Sequence, residues 1–262
     1  MSLAGLLAAL AADPDWAAFG DLARAEAGTV AGGTLEAPHP LHPMAIAELA
    51  DPHGGPVVAV TATGREAEDL AELVPQLRPG LRAVVLPSWE TLPHERLSPS
   101  SDTVGRRVAV LHRLAHPDAG TGADERIDVV VTSVRALLQP VVAAIADVQP
   151  VHLRPGDEVD LSEVVASLVA MGYDRVDLVE RRGQVAVRGG ILDVFVPVEE
   201  HPLRIELWGD TVEEVRAFAV ADQRSLHAAA DGLWAPPVRE LLLTEAVRER
   251  AAALAITAPH LA

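Results

Sequence analysis

Cysteine and lysine are both missing from the 262 residues, so all 21 basic side chains are arginine. Without cysteine there is no disulfide frame, no thiolate nucleophile and no Cys-ligated zinc. Without lysine there is no phosphate-loop lysine, Schiff base or lysine general base. Aromatics are scarce at 3%, so the core must be built from Ala, Val and Leu. Basic charge is also short: 21 Arg face 38 Asp and Glu, for a net charge of −17. That balance argues against the broad basic surface that nucleic-acid binding needs. Long apolar runs are missing as well. Leu3–Leu10 is apolar but short, with no basic residue before Arg24, so neither a bilayer span nor a secretory leader is expected. The pattern predicts a soluble, cytoplasmic chain with no membrane partner. Its last helix runs close to Ala262, consistent with a natural tail or with a cut inside a longer protein.

What is present is an alternation of apolar runs. Short helices are expected over 3–11 and 15–26, with Asp13 as a cap for the second, then a loop-rich stretch over 28–43. Val57–Thr61, Arg82–Leu86 and Asp128–Thr132 read as buried strands, separated by helices over 66–77 and 102–114 and followed by one over 134–145. Residues 118–125 read as a polar loop. This order predicts a parallel α/β domain over 1–147. The pattern then changes. A helix over 162–171 precedes short runs at 175–180, 184–188, 191–196, 203–208 and 213–220, expected to be consecutive antiparallel strands. An α+β domain over 150–228 follows, and 229–262 reads as a linker and a helix over 244–256.

Four groupings carry candidate chemistry. The strand–turn–helix at Ala59-Val60-Thr61-Ala62-Thr63-Gly64-Arg65-Glu66 has the context of a phosphate loop. Laid on G-x-x-x-x-G-K-[ST], only Gly64 fits. Ala59 replaces the first glycine, Arg65 the lysine, and Glu66 sets a carboxylate where a magnesium-binding hydroxyl belongs. The alternatives are a strand–helix element that holds no nucleotide and a P-loop-like hydrolase with Arg65 as lysine surrogate. In the loop after Trp89, His94 and Glu95 form an acid/base pair by type, but no nucleophile accompanies them, so loop packing is the expectation. His39 with His42, and His112 with His116, have spacings open to a metal, yet neither pair has a completing carboxylate, and no metal is expected. Last, Arg175, Arg181, Arg182, Arg188 and Arg204 lie on successive expected strands or turns. Alternation would bring Arg175, Arg188 and Arg204 to one exposed face. Residues 151–230 hold 8 Arg against 15 Asp and Glu, so a protein partner suits this face better than phosphate. A merely solvated sheet face stands beside that reading.

Several segments together resemble a known family. Leu86-Pro87-Ser88-Trp89-Glu90-Thr91-Leu92-Pro93, with Leu97-Ser98-Pro99-Ser100-Ser101-Asp102-Thr103 after it, is similar to the N-terminal, UvrB-homologous part of the transcription-repair coupling factors (Mfd). So are Val131–Pro140, Val187-Arg188-Gly189-Gly190-Ile191-Leu192-Asp193-Val194-Phe195 and Leu203-Arg204-Ile205-Glu206-Leu207-Trp208-Gly209-Asp210. The segments occur in the family's order along nearly the whole chain. The resemblance implies a RecA-like half domain over 1–147, a UvrA-binding domain over 150–228, and the start of a return to the first domain over 229–262. By resemblance, Arg175, Arg188, Arg204 and Glu206 would meet UvrA, with Phe195 adding an apolar contact or serving the core. The intact phosphate loop of UvrB is not matched by Ala59–Glu66. Its tyrosine-rich DNA hairpin has no counterpart either, because Tyr173 is the single tyrosine. The chain is therefore expected to be non-catalytic and to hold no cofactor. ATP and magnesium would belong to a translocase motor, and RNA polymerase and DNA to further domains of a longer parent.

Overall fold

A computed structural model describes residues 3–24, 34–50, 55–92, 95, 97–117, 126–142 and 144–258. In chain order the elements are α1 (Ala4–Leu10), α2 (Pro14–Arg24), α3 (His42–Leu49), β1 (Val57–Thr61), α4 (Gly64–Leu77), β2 (Ala83–Leu86), α5 (Ser101–Ala115), β3 (Val129–Ser133) and α6 (Val134–Leu138). They continue as β4 (Val151–Leu153), α7 (Leu161–Ala170), β5 (Asp174–Arg175), β6 (Gln184–Arg188), β7 (Ile191–Val194), β8 (Leu203–Trp208), β9 (Thr211–Phe218), β10 (Ser225–Ala228), β11 (Leu233–Ala235) and α8 (Glu245–Thr257). Among the described residues no helix is long and apolar enough to cross a membrane.

The chain is mixed α/β and divides into two compact units, 1–88 with 116–139, and 89–115 with 140–262. In the first, three parallel strands lie in the order β1-β3-β2. The central strand β3 is buried along its length, as its unbroken Val129-Val130-Val131 run requires. Helix α4 sets Ala67, Val74 and Leu77 against this layer, with Leu70 beside them. Their spacing keeps them on one helical face.

The second unit is built on a six-stranded sheet, β10-β9-β8-β7-β6-β5. Its inner face carries Val185, Leu192, Val194, Leu203, Ile205, Val215 and Ala217, all in one core with Val165 and Leu168 of α7. Alternation sends the intervening residues to the outer face. There Ala186, Phe195 and Phe218 form a smaller core with Val179. A ribbon of β4 and β11 is antiparallel, and beside it the buried Tyr173 hydroxyl donates to the Pro236 carbonyl at 3.0 Å.

Several expectations are corrected. The helix expected over 134–145 stops at Leu138, because Pro140 holds Gln139 extended. The run 175–180 contributes only Asp174–Arg175, which pairs parallel to β6, not antiparallel. His42–Leu49 is helical, where sequence gave a loop for its first residues. Residues 89–115 cluster with the second unit, not the first. The apolar stripe of α5, Val104 and Val108, packs on Ile145, Val148 and Leu242. Alternation along a chain identifies such a stripe but not the layer it covers. Likewise β11, placed by sequence in a linker, pairs with β4. The expected loop at 118–125 lies outside the described residues.

Candidate functional site

The turn between β1 and α4 is short. Strand β1 ends at Thr61 and Thr63 already caps the helix. The Thr63 hydroxyl accepts from the Glu66 amide at 3.2 Å. The Glu66 carboxylate returns to accept from the Ala62 and Thr63 amides at 3.2 and 3.3 Å. This is a capping box. The Ala62 and Thr63 amides thus hold the protein's own carboxylate, and the Glu66 amide is held by the Thr63 hydroxyl. Gly64 stands in open space and Arg65 is exposed.

The His39 and His42 rings lie 4.9 Å apart, and the buried His112 places Nδ1 2.7 Å from the Ala146 carbonyl oxygen. Among the described residues no group of three or more His, Cys, Asp or Glu is arranged to hold a metal. Glu95 accepts from the Leu92 amide at 2.7 Å, and His94 lies outside the described residues.

Two members of the arginine grouping, Arg188 and Arg204, meet on the outer face of the six-stranded sheet. Strand register sets Ala186, Asp193, Arg204 and Arg216 in one cross-strand row, and Arg188, Ile191, Glu206 and Glu214 in the next. Asp193 is 1% exposed. Its carboxylate accepts from Arg204 Nε at 2.7 Å, Arg204 Nη2 at 2.9 Å and Arg188 Nη2 at 2.7 Å. The bidentate Arg204 fork is the stronger geometry. Its hydrogen bonds to Asp193 push the Arg204 guanidinium above its ordinary pKa, with burial opposing. Arg204 also lies 4.6 Å from the Phe218 ring centre, so its plane is held from two directions. One buried carboxylate thus serves two guanidinium groups. Arg204 is largely covered, while Arg188 is 47% exposed and leaves donors for a partner.

The other predicted positions separate from this centre. Glu206 is half-buried in the Arg188 row. Arg175 is exposed but stands in register with Val185, on the core side of the sheet at its edge. A single face for Arg175, Arg188 and Arg204 is therefore corrected, because β5 enters the sheet one position out of phase with those two. Phe195 is buried in the small outer core, with the Arg182 guanidinium 5.1 Å from its ring centre. Arg182 also donates to the Glu199 carbonyl and pairs with Asp102. Sequence reasoning missed Asp193 as the organiser. Its signal was available: an acidic residue at alternate spacing from the exposed row, inside an otherwise apolar strand.

Residues 151–236 match the UvrB interaction domain family. Over 209 residues the chain is 56% identical to the transcription-repair-coupling factor of Mycobacterium tuberculosis, covering 78% of this chain and 16% of that protein. The Myxococcus xanthus factor is 37% identical over 171 residues, 65% of this chain and 14% of its own length. The Escherichia coli factor is 29% identical over 183 residues, 70% and 15% respectively. The chain is a homologue of the transcription-repair-coupling factors and spans about a sixth of the length of the curated relatives it matches.

Proposed function

We propose that this chain is the N-terminal UvrB-homology part of a transcription-repair coupling factor, and that its second unit recruits UvrA to stalled RNA polymerase for nucleotide excision repair. The observation that carries this reading is the Asp193 clamp, which aims Arg188 outward from a domain of UvrB interaction type. Arginine held by a buried carboxylate is a pre-organised anchor for a protein partner. The three-stranded parallel layer, in the order β1-β3-β2, supports a RecA-like half domain without a working phosphate loop. In support of that reading, Glu66 holds the Ala62 and Thr63 amides and stands where a phosphate loop carries its magnesium-binding hydroxyl, with Arg65 in place of the lysine. The chain would then be non-catalytic and cofactor-free, cytoplasmic, and part of an ATP-dependent DNA translocase whose motor, polymerase and DNA contacts lie in other domains.

Two measurements test this. On size-exclusion chromatography the 262-residue chain is expected to co-elute with UvrA; separate elution at micromolar concentrations sinks the partner assignment. In a titration with magnesium and ATP, no saturable binding is expected up to millimolar nucleotide. Binding there, lost in Arg65→Ala, would instead support a P-loop-like hydrolase.

A further inference from the structure

A cavity of about 480 Å³ opens in the second unit, and none of its lining residues belongs to the six-stranded sheet. That volume is in the range of small-molecule sites, about 300–1,000 Å³. Its wall is mainly apolar, built from Trp89, Pro99, Val104, Val142 and Leu241. Val104 is buried and packs with Val108 and Ile145, whereas Val142 and Leu241 are exposed. The cavity thus has a fixed apolar floor and a solvent-facing rim.

Glu240 supplies its polar group. The residue is 7% exposed, and its Oε1 accepts from Arg107 Nε at 2.7 Å and from the Trp89 indole at 2.9 Å. Its Oε2 is buried and has no hydrogen-bond partner among the described residues. A buried acceptor left unmade is unfavourable, and a donor brought to it gains more than it would in water. The acceptor is also held in place, because two donors fix Oε1 and the Arg107 guanidinium lies 5.4 Å from the Trp89 ring centre. Such pre-organisation lowers the entropic cost of binding.

Charge narrows the ligand. Arg107 already balances Glu240, and the other charged groups of the lining are Glu95 and Arg239, one of each sign. An ionic ligand would give up its hydration with no unbalanced counter-charge to meet. We propose that this cavity binds a neutral aromatic small molecule bearing one N–H or O–H donor, which hydrogen-bonds to Glu240 Oε2 while its ring rests among Trp89, Val104 and Leu241. The site does not depend on the UvrA reading, since it shares no residue with the sheet face.

Heteronuclear NMR titration of the 262-residue chain with phenol, anisole and benzylamine tests this, read at the Trp89 indole N–H. Phenol and anisole share a ring and an oxygen, but only phenol donates; benzylamine carries a cation. Phenol is expected to shift that resonance saturably, with anisole at least about tenfold weaker and benzylamine also weaker than phenol. In Glu240→Gln, phenol and anisole should come within about threefold of each other. That variant disturbs the Arg107 pair, so Val142→Trp, which fills the rim and leaves the pair intact, is the second arm; it should weaken phenol at least about tenfold. Any one of four results would overturn the site: no shift with phenol at about 10 mM, equal affinity for phenol and anisole, tighter binding of benzylamine, or undiminished phenol binding in Val142→Trp.

Discussion

Arg107→Ala is expected to lower the stability of the second unit by about 3–5 kcal/mol, the cost of breaking a buried ion pair by removing one partner. Arg107 of α5 is fully buried and Glu240 is 7% exposed. The Arg107 Nε donates to Glu240 Oε1 at 2.7 Å, and the Trp89 indole donates to the same oxygen at 2.9 Å. The guanidinium also lies 5.4 Å from the Trp89 ring centre. The second carboxylate oxygen, Oε2, is buried without a hydrogen-bond partner. Truncating Arg107 therefore leaves a buried carboxylate served only by an indole, beside a cavity the size of the lost side chain. The double variant Arg107→Met, Glu240→Leu removes both charges while keeping volume, and is expected to recover most of the loss. Urea unfolding followed by indole fluorescence reads this unit, because Trp89, Trp208 and Trp234 all belong to it. A single-variant loss under about 1 kcal/mol would show that the pair is not what fixes α5 in place.

Asp193→Ala is expected to cost about 2–4 kcal/mol and to weaken UvrA binding together with it. The carboxylate is buried and accepts three guanidinium hydrogen bonds. Its loss leaves Arg204, which is largely covered, with the Gln223 carbonyl and the Phe218 ring as its remaining contacts in this cluster. Arg188 is half exposed and rehydrates more easily, which places the cost below that of a wholly buried pair. Asp193→Asn keeps one acceptor oxygen and should fall between wild type and Asp193→Ala. The stability change is read by denaturant unfolding and the binding change by titration of UvrA. Full affinity in Asp193→Ala would mean that the arginines need no common organiser.

Much of the second unit was legible because strand alternation is local. The extents 184–188 and 203–208 follow directly from apolar period and Gly-containing turns. The Thr63-x-x-Glu66 spacing is equally local, and it is the signature of a capping box, a clearer reading of Glu66 than its place in a phosphate-loop alignment. What was not legible depends on register or on distant pairing. The phase of Arg175 is set by the parallel entry of β5, which no pattern within 174–180 encodes. Arg107 and Glu240 are separated by 133 positions, and Trp89 and Glu240 by 151, so nothing in either neighbourhood announces the pair. The same long-range contacts draw residues 89–115 into the second unit. Phe195 illustrates the limit at the site itself: its strand position allowed either a partner contact or a core role, and burial beside Val179 and Phe218 places it in the core.

The central claim is that the second unit meets UvrA through the arginines organised by Asp193. Its most direct test is calorimetric titration of UvrA with the chain and with the double variant Arg188→Ala, Arg204→Ala, both first shown to be folded. Saturable binding by the wild-type chain, weakened by at least about tenfold in the double variant, is the predicted result. Equal affinity for the two proteins would contradict the assignment of this face.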